Sequence, residues 1–317
     1  MTQMVSTTPR SDLEGLPLPS NLNLPFFAYG AFKPSELAHS QIACLLSPDH
    51  TLIAATVDGK LLLRDGLPLF DPHGGESVQG FLLQFAAEKV HLAYRKICQF
   101  EPKEIYSWAE IDIESRKANI LHGKKLDSGN PVPLESNEWT FRMDPVFKEG
   151  LEVVEHIANE LTDTPFKSDP YGLDWNRFFR IQAAYLLLWS AMERFCSFAY
   201  GPALEPMKKI RALDCDPRFR AAFKEHVKEQ KKVFDSRNPK TKIVVDPAQV
   251  NLENSKCPCR AAEFYYQVRN NLSHRGKGAW QDGEMVRQSL HELLAIFRST
   301  LVQHKMSLKA VFDSNTR

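Results

Sequence analysis

The sequence lacks any apolar run long enough to cross a membrane, and it carries almost no net charge. Its longest apolar stretch, around residues 183–189, ends before Glu193 and Arg194, whereas a membrane span needs about 18 apolar residues. The 40 basic residues nearly balance the 39 acidic ones, for a net charge of +1. We therefore expect a soluble protein with no membrane partner, and any contact with nucleic acid must come from a local basic patch.

The sequence also has few cysteines, and its 6 cysteines show no spacing typical of a disulfide framework. Cys257 and Cys259 could join Cys215 and a histidine such as His226 around zinc. A single residue between two cysteines, however, is poor spacing for a tetrahedral site. We expect free thiols, no metal and no cofactor.

The N-terminus lacks the basic and then apolar order of a secretion signal. Residues 1–23 are instead rich in serine, threonine and proline, a composition typical of a flexible arm. This predicts a cytoplasmic protein.

The length of 317 residues is too great for one ordinary core, and 43% hydrophobic and 25% charged residues are globular values. A segment rich in Gly, Pro, Ser and Asn then suggests where the chain divides. We expect a first domain over residues 24–125, a linker over 126–143, a second domain over 144–309, and a tail over 310–317.

The first domain is predicted to be α+β, with a mixed β-sheet or small barrel and two helices. Alternating apolar residues predict strands, with Asp58-Gly59 as a hairpin turn, and a period of 3.6 predicts the helices. The strands are expected at residues 51–63, 78–85 and 105–114, and the helices at 36–46 and 87–100.

The second domain is predicted to be an all-α bundle. Apolar residues recur at helical spacing in five segments, the second of which is apolar enough to be central. These segments are residues 147–161, 173–200, 217–233, 260–274 and 281–302. A polar stretch at residues 235–256 is predicted to be a long loop.

The strongest chemical signal lies at the end of the fourth of these helices. Arg269, Asn270 and His274 fall within about two helical turns, and Arg275 and Lys277 follow among glycines. Guanidinium and imidazole groups can together hold and cleave a phosphodiester without a metal. The segment is therefore predicted to be a phosphate-handling site.

Residues 268–277, preceded by the long apolar helix that bears Glu193, resemble the signature of the HEPN superfamily, in which four to six residues separate an arginine from a histidine. The resemblance covers roughly residues 144–309. It implies a homodimerising helical bundle that cuts RNA without metal, with Arg269, Asn270 and His274 at the signature positions. Other HEPN proteins act as toxins or in phage defence, and the same setting is expected here.

The chemistry of these side chains fits that role. His274 could take the proton of a ribose 2′-hydroxyl while Arg269 binds the phosphoryl oxygens, and Arg275 and Lys277 add cations for the substrate. The alternative is structural: Arg269 and Asn270 brace the bundle through Glu193 or backbone carbonyls, and His274 is a favourable cation at a helix end.

A second resemblance covers residues 24–125. Tyr29-Gly30-Ala31-Phe32, then residues 78–83, Tyr94, Glu101 and residues 106–108, follow the order of motifs in γ-glutamylcyclotransferase-like proteins. The resemblance implies that the loop from Tyr29 to Phe32 binds a small γ-glutamyl ligand. It also implies that Glu101, or alternatively Glu104, transfers a proton during cyclisation to 5-oxoproline.

This sequence departs from that family at Ala31 and Phe32, which replace a hydroxyl residue and a leucine. Three functions therefore stay open. We favour a metal-independent endoribonuclease that carries a cyclotransferase-like sensor or enzyme domain. The alternatives are a cyclotransferase whose helical domain only dimerises, and a binding module with no catalytic activity.

Overall fold

The computed structural model describes residues 15–34, 36–48, 52–114, 116–124, 131–161, 175–235, 238, 240–253, 258–274 and 279–315. The side chains of residues 274, 279–282 and 305–315 lie outside this description. None of the helices described there combines the length and apolar character needed to span a bilayer.

The chain forms two compact units. The N-terminal unit comprises the chain up to Lys33 together with Ala38–Thr140, and the C-terminal unit comprises Pro34–Leu37 together with the chain from Phe141. Part of the segment predicted as a linker belongs to the N-terminal unit, because Trp139 is buried and its Nε1 donates to the carbonyl of Gly66 over 3.2 Å. The predicted arm falls largely outside the described residues.

The N-terminal unit is built on a mixed six-stranded sheet that curls into a half-barrel. Its strands are β1 (Phe26–Ala28), β2 (Ile53–Arg64), β3 (Leu67–Leu83), β4 (Tyr106–Ile113), β5 (Arg116–Gly123) and β6 (Val132–Pro133). Their order is β4-β5-β1-β3-β2-β6, and β1 runs parallel to β5 but antiparallel to β3. The α+β class is confirmed, and the short apolar strand β1 lies near the centre of the sheet.

The hairpin turn between β2 and β3 lies at Asp65-Gly66, so its prediction at Asp58-Gly59 was wrong. Asp65 and Gly66 have φ of 51° and 79°, the left-handed values that a tight hairpin turn requires. Gly59 lies within β2, where an added Cβ would stand 2.3 Å from Cε2 of Phe70. It serves close packing instead of chain reversal, which the local sequence does not distinguish.

One α-helix, α1 (Val90–Phe100), packs on the sheet of the N-terminal unit. It buries Ala93, Tyr94, Ile97 and Cys98, the spacing expected of a helix with one apolar face. The predicted helix at residues 36–46 is instead two short 3-10 helices, Leu37–Gln41 and Ala43–Leu45.

The C-terminal unit is a helical bundle around one long helix. Its helices are α2 (Leu151–Glu160), α3 (Trp175–Tyr200), α4 (Pro206–Cys215), α5 (Pro217–His226), α6 (Ala261–His274) and α7 (Ala279–Asn315). Helix α3 packs against α2, α4, α6 and α7, as its apolar sequence predicts. Helix α4 was not predicted. It buries only Ile210, Leu213 and Asp214, which lie within about one turn, so its sequence shows little helical periodicity of apolar residues.

The bundle also contains a β-hairpin that corrects two predictions. The segment after α5 forms β7 (Lys231–Phe234) instead of continuing the helix, and β8 (Lys242–Val245) lies inside the predicted loop. Both strands alternate exposed and buried residues with a period of two, and their valines and isoleucine favour strand over helix. The C-terminal unit is therefore largely, but not entirely, helical.

Candidate functional site

A cavity in the N-terminal unit lies where the loop after β1 meets the connection between α1 and β4. It opens to solvent, and the space inside it that water can enter is about 20 Å³, room for about one water molecule. The lining residues are Phe26, Ala28, Tyr29, Gly30, Ala31, Phe32, Leu67, Pro68, Phe100, Glu101, Tyr106 and Leu121. The structure thus brings Glu101 together with the loop from Tyr29 to Phe32, which lies far from it in sequence.

The loop after β1 is a tight turn that lines the cavity. The Lys33 amide donates to the Gly30 carbonyl over 3.0 Å, which closes the turn. A Cβ on Gly30 would stand 2.9 Å from Cγ of Pro68, so only glycine lets the loop lie this close to β3. The ring of Phe32 packs against that of Phe100 with 4.9 Å between centroids, which fills space that a smaller residue would leave open.

Two buried phenols line the cavity, and both donate their hydroxyl proton to backbone. The Tyr29 hydroxyl donates to the Leu121 carbonyl over 2.7 Å, and the Tyr106 hydroxyl donates to the Pro68 carbonyl over 2.8 Å. Burial, and then the nearby Glu101 carboxyl, raise the pKa of both phenols. Both therefore stay neutral, and each phenol oxygen remains able to accept a hydrogen bond.

Glu101 is the ionisable group of the cavity that can exchange a proton near neutral pH. It caps the C-terminal end of α1, where its amide donates to the Ile97 carbonyl over 3.0 Å, and it is only 8% exposed. Burial raises its pKa from 4.5 to about 8. The negative end of the helix dipole acts in the same direction. At pH 7 the carboxyl is therefore mostly protonated.

The cation at the end of the loop is paired with a different carboxylate. Lys33, fully buried at the end of the loop, donates from Nζ to Oε1 of Glu138 over 2.7 Å. Within the described ranges, no basic side chain forms an ion pair with Glu101. Glu104, the alternative proton carrier, is exposed and does not line the cavity, so the geometry selects Glu101.

Sequence reasoning missed Tyr106 as a site residue. It is the first residue of β4, five residues after Glu101. The alternation of side chains along a strand could have suggested that Tyr106 faces the same cavity as Glu101. Leu67, Pro68 and Leu121 were also missed, since apolar lining residues look the same in sequence as core residues.

The second candidate site is at the C-terminal end of α6. Nη1 of Arg269 donates to Oδ1 of Asn270 over 3.2 Å, and Asn270 is only 7% exposed. The structure therefore joins two of the predicted catalytic residues. His274 is the last residue of α6, but its side chain lies outside the described part of the chain, as do Arg275 and Lys277 entirely.

Glu193, which the structural alternative pairs with this motif, instead accepts a hydrogen bond from Nε1 of Trp189 over 2.8 Å. The Trp189 ring lies 5.5 Å from that of Tyr266 on α6, measured between centroids. Glu193 thus orients a ring at the α3–α6 contact.

Two of the residues considered as zinc ligands form other hydrogen bonds. Cys259 donates from Sγ to Oδ1 of Asp214 over 3.3 Å, and Nε2 of His226 lies 2.8 Å from Oγ of Ser299. Cys257 lies outside the described residues. Where the chain is described, no three His, Cys, Asp or Glu side chains cluster as metal ligands would.

Comparison with known proteins adds little to this geometry. No family model and no curated protein matches the chain. A crystal structure of an uncharacterized protein from Pyrococcus horikoshii is similar over 42% of this chain and 96% of that chain, with 15% sequence identity and a TM-score of 0.29.

Proposed function

We propose that the N-terminal unit closes a small γ-glutamyl amide to 5-oxoproline, with Glu101 as the group that moves the proton. The observation that carries this proposal is a buried carboxyl without an ionic partner, held in a cavity with the loop from Tyr29 to Phe32. A carboxyl whose pKa is raised to about 8 is a stronger base, once ionised, than an ordinary carboxylate. It therefore accepts a proton from an α-ammonium more readily, which favours general acid–base catalysis.

The reaction balances with this single group. The cycle starts from the minority of molecules in which Glu101 has lost its proton to water at pH 7. Their carboxylate accepts a proton from the substrate α-ammonium, and the freed amine attacks the γ-carbonyl carbon to form the lactam C–N bond. Glu101 then gives the proton to the departing amine nitrogen as the original amide C–N bond breaks. The carboxyl ends as it began, ready for another cycle.

The groups that line the cavity match those of such a substrate. Peptide N–H groups of the loop at Gly30–Phe32 can hold a substrate carboxylate without a cationic side chain, and the aromatic lining can cover the aliphatic chain. Ala31 supplies no hydroxyl, and Phe32 is packed against Phe100. We therefore expect a compact substrate that contacts the loop through its backbone.

Release of 5-oxoproline from a panel of γ-glutamyl amines and peptides tests this function. Glu101→Gln keeps the size of the side chain but cannot exchange the proton, so the rate should fall by about a hundredfold or more. Glu104→Gln, a change at the exposed neighbouring glutamate, is the matched control and should retain the wild-type rate. No release from the whole panel, or a Glu101→Gln variant as active as wild type, contradicts the proposal.

We propose RNA cleavage by the C-terminal unit as a second function, because Arg269 and Asn270 form a direct contact at the end of α6. Asn270 orients the guanidinium, which stabilises the phosphoryl oxygens, and His274 takes the 2′-hydroxyl proton. The products are a 2′,3′-cyclic phosphate and a 5′-hydroxyl. A homodimer brings two copies of the motif to one groove, in a toxin or phage-defence setting.

Cleavage of end-labelled total RNA in the presence of EDTA tests this second function. Wild type should cut RNA and leave 2′,3′-cyclic phosphate ends, whereas His274→Ala should reduce cleavage by about a hundredfold or more. His156→Ala, at an exposed position on α2, is the matched control. Intact RNA with wild type, or equal cutting by His274→Ala, would eliminate the nuclease. If both assays fail, the binding module is the function that is left.

A further inference from the structure

The β7–β8 hairpin presents an exposed face with two lysines and one aromatic ring, which we call the hairpin face and define as Lys232, Phe234, Lys242 and Val244. The register pairs Lys232 with Val244 and Phe234 with Lys242. Because side chains alternate along a strand, these four project to the same side of the ribbon. All four are exposed.

The opposite side of the hairpin anchors it to the bundle. Val233, Ile243 and Val245 are buried there, and Nζ of Lys231 lies 2.5 Å from Oε1 of Glu292 on α7. A two-stranded hairpin alone is only marginally stable in water, so this packing explains why the ribbon is ordered. The hairpin face is thus a fixed surface.

The composition of the hairpin face is unusual for solvent-exposed β-structure. Phe234 is 46% exposed and Val244 is 41% exposed, and Nζ of Lys242 stands 4.6 Å from the centroid of the Phe234 ring. The ammonium group thus stands over one face of an aromatic ring that is itself nearly half exposed. A phosphate and a neighbouring base present the complementary pair of groups.

The charge of this region differs from that of the chain. The whole chain has a net charge of +1, whereas six basic and two acidic residues lie between positions 228 and 245. The basic residues are Lys228, Lys231, Lys232, Arg237, Lys240 and Lys242. Lys231 is paired with Glu292, and Arg237 lies outside the described residues, whereas Lys232 and Lys242 are exposed on the hairpin face. A nearly neutral protein needs such a local excess of exposed basic residues to bind nucleic acid.

The hairpin is joined directly to the helix that carries the Arg269 motif. Nδ2 of Asn271 donates to the carbonyl of Phe234 over 3.0 Å. Asn271 follows Asn270 on α6, so the hairpin face begins next to the C-terminal end of that helix. A strand of nucleic acid bound on the hairpin face would extend toward the motif.

We propose that the hairpin face binds single-stranded RNA, with a base stacked on Phe234 and phosphates at Lys232 and Lys242. A single strand is specified because its bases are free to stack, whereas a duplex hides them. The inference deepens the RNA-cleavage proposal by assigning the surface that holds the substrate. It does not require cleavage, since binding can occur without a functional His274.

Binding of a fluorescein-labelled 12-mer of 2′-O-methyluridine tests the proposal. This probe has no free 2′-hydroxyl and cannot be cut by the proposed chemistry, so binding is measured apart from cleavage. Lys232→Ser combined with Lys242→Ser should weaken binding about tenfold near 0.1 M salt. It should also make the slope of log K against log salt shallower by about 1.4, since a single-stranded phosphate contact contributes about 0.7. Lys148→Ser combined with Lys208→Ser, at exposed lysines elsewhere in the unit, should leave both quantities unchanged.

The aromatic contact has its own matched pair of variants. Phe234→Leu retains apolar bulk and should weaken binding about five- to a hundredfold, whereas Phe234→Trp should bind as tightly as wild type or more tightly. A duplex of the same length should bind less tightly than the single strand. Absence of wild-type binding overturns the proposal, and so does equal binding by the lysine variants and Phe234→Leu. A change of these variants in oligomeric state, with RNA binding unaltered, would instead show that the face contacts a second copy.

The two RNA proposals can fail separately. Normal binding of the uncleavable probe together with intact natural RNA supports the hairpin face and removes the nuclease. Cleavage of natural RNA at wild-type rates by the hairpin variants, with unaltered binding of the probe, removes the hairpin face and keeps the nuclease.

Discussion

At the scale of single residues, the burial of Glu101 has a consequence for stability as well as for chemistry. Its pKa is 4.5 in ordinary surroundings and about 8 in the folded protein, so the folded state holds the proton more tightly. Below pH 4.5 both states are protonated. Between about pH 4.5 and about pH 8 only the unfolded chain ionises, and the free energy of unfolding therefore falls as pH rises.

We expect Glu101→Gln to remove this dependence on pH. Between pH 5 and pH 8.5, wild type should lose up to about 4 kcal/mol of stability that the variant keeps, since one pKa unit corresponds to about 1.4 kcal/mol and this window covers most of the shift. Urea unfolding of both proteins at the two pH values measures the difference. Glu104→Gln should behave as wild type does. Parallel pH profiles for wild type and Glu101→Gln would show that Glu101 is ionised in the folded protein.

At the scale of secondary structure, the start of α6 is held by a side chain from another helix. Asp214 is buried near the end of α4, and its Oδ1 accepts from the amide of Ala262 over 2.7 Å and from Sγ of Cys259 over 3.3 Å. Burial raises the pKa of this carboxyl to about 7, and the amide hydrogen bonds counteract part of the rise. The same carboxyl thus satisfies free amides at a helix N-terminus.

Removing this carboxyl should loosen the helix that carries Arg269 and Asn270. We expect Asp214→Ala to destabilise the C-terminal unit by about 1–3 kcal/mol, because the buried amide of Ala262 loses its acceptor. Asp214→Asn retains an acceptor oxygen and should have a smaller effect. Arg211→Ala, at an exposed position on α4, is the control and should change stability by less than about 0.5 kcal/mol. Equal urea midpoints for Asp214→Ala and wild type would contradict this role.

At the scale of the whole molecule, the two candidate sites belong to different compact units. The cavity lies entirely in the N-terminal unit, and the motif and hairpin face lie in the C-terminal unit. Each unit has its own buried aromatic residues, such as Tyr94 in one and Trp189 in the other. Each site is therefore built by the packing of its own unit.

Much of this architecture could be predicted from sequence. Helices α1, α3 and α6 have apolar residues at helical spacing, and the segments that form β2 and β4 contain β-branched and aromatic residues. These patterns reflect backbone preference and one-sided burial, which neighbouring residues largely determine. The α+β class and most helix positions followed from them.

Other features depend on contacts between residues distant in sequence. Asp58-Gly59 and Asp65-Gly66 are the same dipeptide, and only pairing with β3 makes the second one the turn. The β7–β8 hairpin requires its two strands to pair and to bury one side against α6 and α7. Local sequence cannot show either outcome, because neither is stabilised until the distant partner is in place.

The sequence by itself determined the chemical groups of both candidate sites and their order along the chain. It also determined the net charge of nearly zero, which confines any contact with RNA to a local basic patch. Only the tertiary structure decided that Glu101 and not Glu104 is shielded from water, and that Lys33 pairs with Glu138. Likewise, only folding placed Lys232, Phe234 and Lys242 on one open face. The physical reason is that acidity and accessibility depend on the surrounding atoms, which the chain supplies from distant positions.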